Sequence, residues 1–160
     1  MYDIRKLNIW KAGSELSFYK SREKVLEVDV SKKEEISMSD NCTKIFEEMF
    51  LMFPTEDFSG IMELQGGTLK FPMYVNEKLM TTDLEALDLS ARSSNALHRA
   101  GYRTVGELVE AISSSEDLKK IRNCGAKSIA EIMEQLFCYQ YSQLSQERKR
   151  KFLKRVLELN

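Results

Sequence analysis

Along the first half of the sequence the apolar period changes from two to that of a helix and back. In Leu26-Glu27-Val28-Asp29-Val30 every second residue is apolar, which predicts a strand with one buried face. Ile45, Phe46, Met49 and Phe50 then fall on one helical stripe. Ser39 or Asp40 can cap that helix, and Pro54 forbids its continuation after Phe53. Ile61-Met62-Glu63-Leu64-Gln65 and Thr68-Leu69-Lys70-Phe71 flank Gly66-Gly67, a dipeptide able to take the positive φ angles of a hairpin turn. Pro72 has no amide to donate, so the second strand is expected to end nearby or to lie at a sheet edge. Trp10, Phe18 and the set Phe46, Phe50 and Phe53 are core candidates.

The second half carries helix punctuation and no convincing strand. Ser90 precedes a helical run from Ala91 to Ala100 that Gly101 can close. Thr104-Val105-Gly106-Glu107 is a capping box, and Val105, Leu108, Val109 and Ile112 form the stripe behind it. Ser113-Ser114-Ser115 breaks that helix and caps a short third one with Leu118 and Ile121 on one side. After a tight turn at Asn123-Cys124-Gly125, Ile129, Ile132, Met133, Leu136 and Phe137 predict a fourth helix starting near Ala126. A last amphipathic helix is expected from Gln146 to Leu159, capped by Ser145, with Phe152, Leu153, Val156 and Leu157 on its apolar side.

These elements predict an α+β protein in two parts: a small mixed α/β domain at 1–75, then an all-α bundle of four short helices at 83–140. Residues 76–82 lack apolar periodicity and read as a linker, short enough for the two parts to pack together. Residues 141–160 form a basic C-terminal helix.

Composition narrows the possible functions. No apolar run approaches the roughly 20 residues of a membrane-spanning helix, and Met1-Tyr2-Asp3-Ile4-Arg5 lacks the order of a signal peptide, so a cytoplasmic protein is expected. Cys42, Cys124 and Cys138 have no C-x-x-C spacing, which predicts reduced structural thiols, and His98 is the lone histidine. No metal, no cofactor and no small-molecule substrate are expected. Enzymatic candidates are weak: adjacent carboxylates such as Glu47 and Glu48 point apart on a helix, and Cys124 has no basic partner in sequence. The net charge of −1 hides an uneven distribution, since residues 81–140 carry 7 Lys+Arg against 9 Asp+Glu while six cations crowd Arg148 to Arg155. Any attraction of the bundle to DNA must therefore come from local geometry.

That geometry has a candidate in Arg122-Asn123-Cys124-Gly125-Ala126-Lys127-Ser128, a turn between two short helices of helix-hairpin-helix shape. The first amides of the following helix have no internal partner and carry the positive end of its dipole, so they can donate to a phosphate. Lys127 adds charge and Ser128 a hydroxyl. On the first helix, Arg92 and Asn95 are three residues apart on the face away from Leu97 and Ala100.

Three blocks in order, Leu87-Asp88-Leu89-Ser90-Ala91-Arg92-Ser93-Ser94-Asn95-Ala96-Leu97, Ala100-Gly101-Tyr102-Arg103-Thr104-Val105-Gly106-Glu107-Leu108 and Ile121-Arg122-Asn123-Cys124-Gly125-Ala126-Lys127-Ser128-Ile129-Ala130-Glu131-Ile132, resemble the C-terminal domain of the bacterial RNA polymerase alpha subunit. The resemblance covers about residues 83–137. It implies a domain that binds A+T-rich duplex DNA through the minor groove and flanking phosphates, with Arg92, Asn95, Gly125, Lys127, Ser128 and Glu131 at the DNA-contacting positions. Arg92 would enter the groove, Asn95 would meet the backbone or a base edge, and Gly125, Lys127 and Ser128 would hold phosphate. Glu131 would orient cationic neighbours. Arg122, Arg148, Lys149, Arg150 and Lys151 are candidate supporting contacts.

The sequence departs from the family at Ala96, where many members carry a polar or thiol side chain, and echoes its acidic sigma-factor surface only at Glu85 and Asp88. Residues 1–80 show no resemblance to the alpha N-terminal domain. The expected function is therefore a transcription-associated accessory DNA-binding protein, with RNA polymerase, a sigma factor or another regulator as possible partners. The alternative is a protein-interaction module that keeps the helix-hairpin-helix fold without binding DNA.

Overall fold

A computed structural model describes residues 7–12, 15–20, 22–29, 40–56 and 68–160. They form strands β1 (Leu7–Ala12), β2 (Glu15–Lys20) and β3 (Arg22–Asp29), helix α1 (Asp40–Met52) and strand β4 (Thr68–Val75). Helices α2 (Glu77–Thr81), α3 (Ala91–Arg99), α4 (Val105–Ala111), α5 (Ser115–Lys119), α6 (Ala126–Ser142) and α7 (Gln146–Leu159) follow, with a 3-10 turn at Leu84–Leu87 before α3. The hairpin expected around Gly66-Gly67 lies outside the described residues, as do Val30 and Ser39 and the side chains of Trp10 and Phe18.

Two antiparallel pairs, β1 with β2 and β3 with β4, account for the described strands. In the second pair Leu26 faces Phe71 and Val28 faces Leu69, so the alternation read from the sequence places one apolar row against the helices. The β4 strand continues through Pro72 to Val75 rather than stopping near it. The reason is an edge position. The amides of Lys70 and Tyr74 point away from β3, to Asn160 Oδ1 and Gln140 Oε1, each at 2.8 Å. Pro72 shares their parity, so its missing donor falls on the side where no strand pairs. Asn160 also returns a bond from its amide nitrogen to the Lys70 carbonyl, at 2.8 Å, and so closes the edge as another strand would.

Residues 76–82, read as a linker, contain α2. Asn76 caps it by accepting from the Leu79 amide at 2.9 Å, and Leu79 is buried. Gly106 lets α4 approach closely, because a Cβ there would sit 2.5 Å from the Met80 Cα. Helices α3, α4 and α5 start where their caps predict. Ser90 accepts from the Ser93 amide, Thr104 and Glu107 close a capping box, and Ser114 with Asp117 closes a second. Helix α6 runs five residues beyond Phe137, because Tyr141 and the buried polar Gln140 extend its packed face.

A single cluster of buried side chains joins these parts, taking in Leu26, Met49, Phe71, Leu84, Leu108, Ile132 and Phe152. Phe137 stands at its aromatic centre, with its ring centroid 5.7 Å from Phe46, 5.4 Å from Phe71 and 5.7 Å from Phe152. The β3 strand also closes the end of α4. Lys24 Nζ donates to the carbonyls of Val109 and Glu110 at 2.5 and 2.8 Å, where the helix dipole favours a cation. No described helix is long and apolar enough to cross a membrane.

Candidate nucleic-acid interface

Helix α3 buries Ser93, Ala96 and Leu97 and exposes the opposite face, which carries Arg92, Asn95 and Arg99. The spacing i, i+3, i+7 aligns these three along one side. They form one wall of a cleft of about 640 Å³ whose other wall is the end of α5 and the turn from Lys119 to Gly125. Arg92, Arg99, Lys119, Lys120 and Arg122 all line it, and no carboxylate does. Five of the seven cations in residues 81–140 therefore meet in a segment whose overall charge is acidic.

Asn123, not Gly125, takes the left-handed conformation, with φ of 63°; asparagine tolerates it better than most residues. Gly125 is the N-cap of α6 at φ −80°, ψ 173°, a conformation open to any residue, and a Cβ there would meet nothing within 4 Å. The fold does not require glycine at this position. Its lack of a side chain leaves open space before the unpaired amides at the start of the 17-residue α6, a helix without a side-chain cap.

Arg92, Asn95, Gly125 and Arg122 are brought together in the cleft lining. Lys127 is exposed in the first turn of α6 outside that lining, and Ser128 is buried at 4% exposure, so its hydroxyl is turned from the surface. Glu131 faces the start of α3. Its carboxylate accepts from the Ser90 amide at 2.6 Å, from the Ser90 hydroxyl at 2.8 Å and from the Ser93 hydroxyl. Burial works against its charged form, but the bonds from Ser93 and Ser90 outweigh it and hold the carboxyl below its ordinary value. Glu131 thus clamps the start of the helix that presents Arg92 and Asn95; among the described residues no cation pairs with it, whereas it was expected to orient cationic neighbours. Ala96 is 1% exposed and contributes to the core rather than the surface.

The cations of α7 are largely engaged within the protein. Lys149 lies 4.7 Å from the Tyr141 ring centroid and Arg150 4.9 Å from that of Phe53, while Lys151 pairs with Glu147 at 3.1 Å. Arg148 is exposed. Sequence reasoning missed Arg99, Lys119 and Lys120. The helical spacing from Arg92 could have found the first, whereas the other two line the cleft because the fold sets the end of α5 opposite α3, which no local pattern encodes. Among the described residues no group of three metal-ligating side chains is assembled.

Residues 74–137 match the family described as the C-terminal domain of the bacterial RNA polymerase alpha chain. The protein is similar to the DNA-directed RNA polymerase subunit alpha of Moorella thermoacetica, 48% identical over 60 residues that make up 38% of this sequence and 18% of that one. The subunit of Carboxydothermus hydrogenoformans is likewise 48% identical over 60 residues. With the alpha subunit of Clostridium botulinum it shares 33% identity over 136 residues, 84% of this sequence and 36% of the relative. That longer alignment takes in α1 and β4, so the similarity to alpha subunits reaches into the N-terminal half, where the sequence showed none to inspection. The protein thus spans at most about a third of the length of these relatives. No solved structure matches it significantly. Residues 74–137 belong to the family of C-terminal domains of bacterial RNA polymerase alpha subunits.

Proposed function

We propose that the cleft between α3 and the turn before α6 binds duplex DNA, with Arg92 in an A+T-rich minor groove and the surrounding cations on its phosphates. The convergence on one cleft of Arg92, Arg99 and Arg122, which make no ion pair among the described residues, of Lys119 and Lys120, which pair with Glu116 and Asp117 behind it, and of an uncapped helix start is the observation that carries this reading. A narrow A·T minor groove concentrates negative potential and favours an inserted arginine over other side chains. Asn95, one turn on, contacts a sugar or base edge. Gly125 and Lys127 hold a phosphate at the start of α6, where Ser128 contributes its amide rather than its buried hydroxyl. Arg99, Arg122, Lys119 and Lys120 follow the backbone on either side, and Arg148 extends the track.

In this reading residues 83–140 are the DNA-facing module, supported by 1–75 and by the C-terminal helix of 141–160. The protein acts as a transcription-associated accessory factor, and the exposed Glu85 and Asp88 offer an acidic contact to a sigma factor, to RNA polymerase or to another regulator.

The test is a gel shift of the full-length protein on A+T-rich and G+C-rich duplexes across a salt series. Tighter binding to the A+T-rich duplex is expected, with log affinity falling against log salt at a slope of about −3 to −5. Binding that ignores both base composition and salt would instead favour a protein-interaction module.

A further inference from the structure

Helices α1 and α6 are held in register by three side-chain pairs. Phe46 stacks on Phe137, the Tyr141 hydroxyl donates to the Glu48 carboxylate, and Cys42 meets Cys138. The two Sγ atoms are 3.0 Å apart although 96 residues separate them in sequence. Cys42 is 1% exposed, whereas Cys138 is only partly buried. Neither thiol has a role in the cleft.

We propose that Cys42 and Cys138 form a redox-active dithiol that closes to an intramolecular disulfide, with Cys138 as the sulfur that meets the oxidant. A disulfide requires sulfurs about 2.05 Å apart, so closure asks for a shift on the order of 1 Å, within reach of χ1 adjustments in two packed helices. The oxidant is a low-molecular-weight disulfide of the glutathione type. The Cys138 thiolate attacks one of its sulfurs and expels one small thiolate, leaving a mixed disulfide on Cys138. Cys42 then gives its proton to solvent and attacks the Cys138 Sγ, expelling the second small thiolate. The two protein thiols lose two electrons and two protons, and the small disulfide gains them as two thiols.

The electrostatics agree with this order of attack. A hydrogen bond from Cys42 stabilises the Cys138 thiolate and pulls Cys138 below an ordinary thiol, while the same bond and burial push Cys42 up. Cys124, in the turn before α6, has burial alone acting on it and is pushed up. It stays reduced.

The experiment exposes the full-length protein to a series of reduced and oxidised glutathione ratios, with thiols counted by alkylation and intact mass. The expected result is loss of two of the three free thiols from a monomeric species, a linked Cys42–Cys138 peptide, and a thermal midpoint raised by roughly 10 °C that dithiothreitol reverses. Cys124→Ala should close as the parent does. Cys138→Ala, with folding checked by circular dichroism, should keep both remaining thiols. Three alkylatable thiols at every ratio, a persistent glutathione adduct on Cys138, or a link through Cys124 or between two molecules would each overturn the proposal.

Discussion

Helix α7 concentrates six cations between Arg148 and Arg155, whereas the cleft draws five from α3, α5 and the turn that follows. The α7 run is the more conspicuous in sequence, yet its members hold the protein together: Arg155 pairs with Glu23 of β3 at 3.0 Å, and Arg150 covers Phe53 at the end of α1. In the cleft, Arg92, Arg99 and Arg122 make no ion pair among the described residues, and their charge is left facing solvent. A charge run on one helix face is most readily used by its neighbours. Cations without structural partners are the better pointer to a polyanionic ligand.

The largest expected effect lies at the aromatic centre that α7 and β4 share. Phe137→Ala removes three ring contacts from a residue 3% exposed and should destabilise the protein by about 3–5 kcal/mol in denaturant unfolding. A cooperative single transition should shift as a whole, because β3, β4 and the helices share one cluster. A separate N-terminal transition unmoved by the substitution, beside a C-terminal one that shifts, would show that the halves fold independently.

Next in size, Arg92→Ala should weaken A+T-rich DNA binding roughly 10- to 100-fold with helical circular dichroism unchanged. Arg150→Ala should do the reverse. It costs stability of about 1 kcal/mol through the lost cation–π contact and stem packing, and leaves affinity within about twofold. If Arg150→Ala matched Arg92→Ala in DNA binding, the division of labour between the two clusters would be lost.

Glu131 tests how the cleft is held. Replacing it by Gln leaves the Ser90 and Ser93 hydrogen bonds without their charged acceptor, at a cost of about 1–2 kcal/mol. Its carboxyl is depressed in the folded state, so its contribution is complete above the ordinary carboxylate range and is lost as pH falls below it. Parent and Glu131→Gln stabilities should therefore differ at pH 7 and converge in acid, with DNA binding reduced because α3 carries Arg92.

What the sequence made legible follows from range. Ser90, Thr104 with Glu107, and Ser114 with Asp117 act within one helical turn, so their caps could be read directly. The shared exposed face of Arg92 and Asn95 was equally readable from their spacing. Helix α2 was not, because five residues give too little periodicity and its support comes from Gly106 on another helix. Gln140 and Asn160 carry no local signal for their roles, because the unpaired groups of β4 that they serve lie 66 and 90 residues away in sequence. Lys119 and Lys120 reach the cleft, and Cys42 reaches Cys138, only through tertiary structure.

The smallest prediction concerns a residue that serves both the fold and the cleft. Asp117 accepts from the Ser113 and Ser114 amides at 2.8 and 3.3 Å and from Lys120 Nζ at 2.9 Å. The Lys120 ammonium first, then the two amides, hold its carboxyl down to about 2. Because that lies below the unfolded value of about 3.9, its stabilisation is present above pH 4 and fades as pH falls toward 2. Asp117→Asn removes the charge but keeps an acceptor for the amides, so the loss near neutral pH should stay below about 1 kcal/mol, as suits an exposed pair. Lys120, which lines the cleft, would then be released to phosphate. Affinity for DNA should rise about two- to threefold while stability falls, two opposite signs from one substitution. A fall in both would mean that Asp117 matters to the cleft only through the α5 cap, and that Lys120 does not face the ligand.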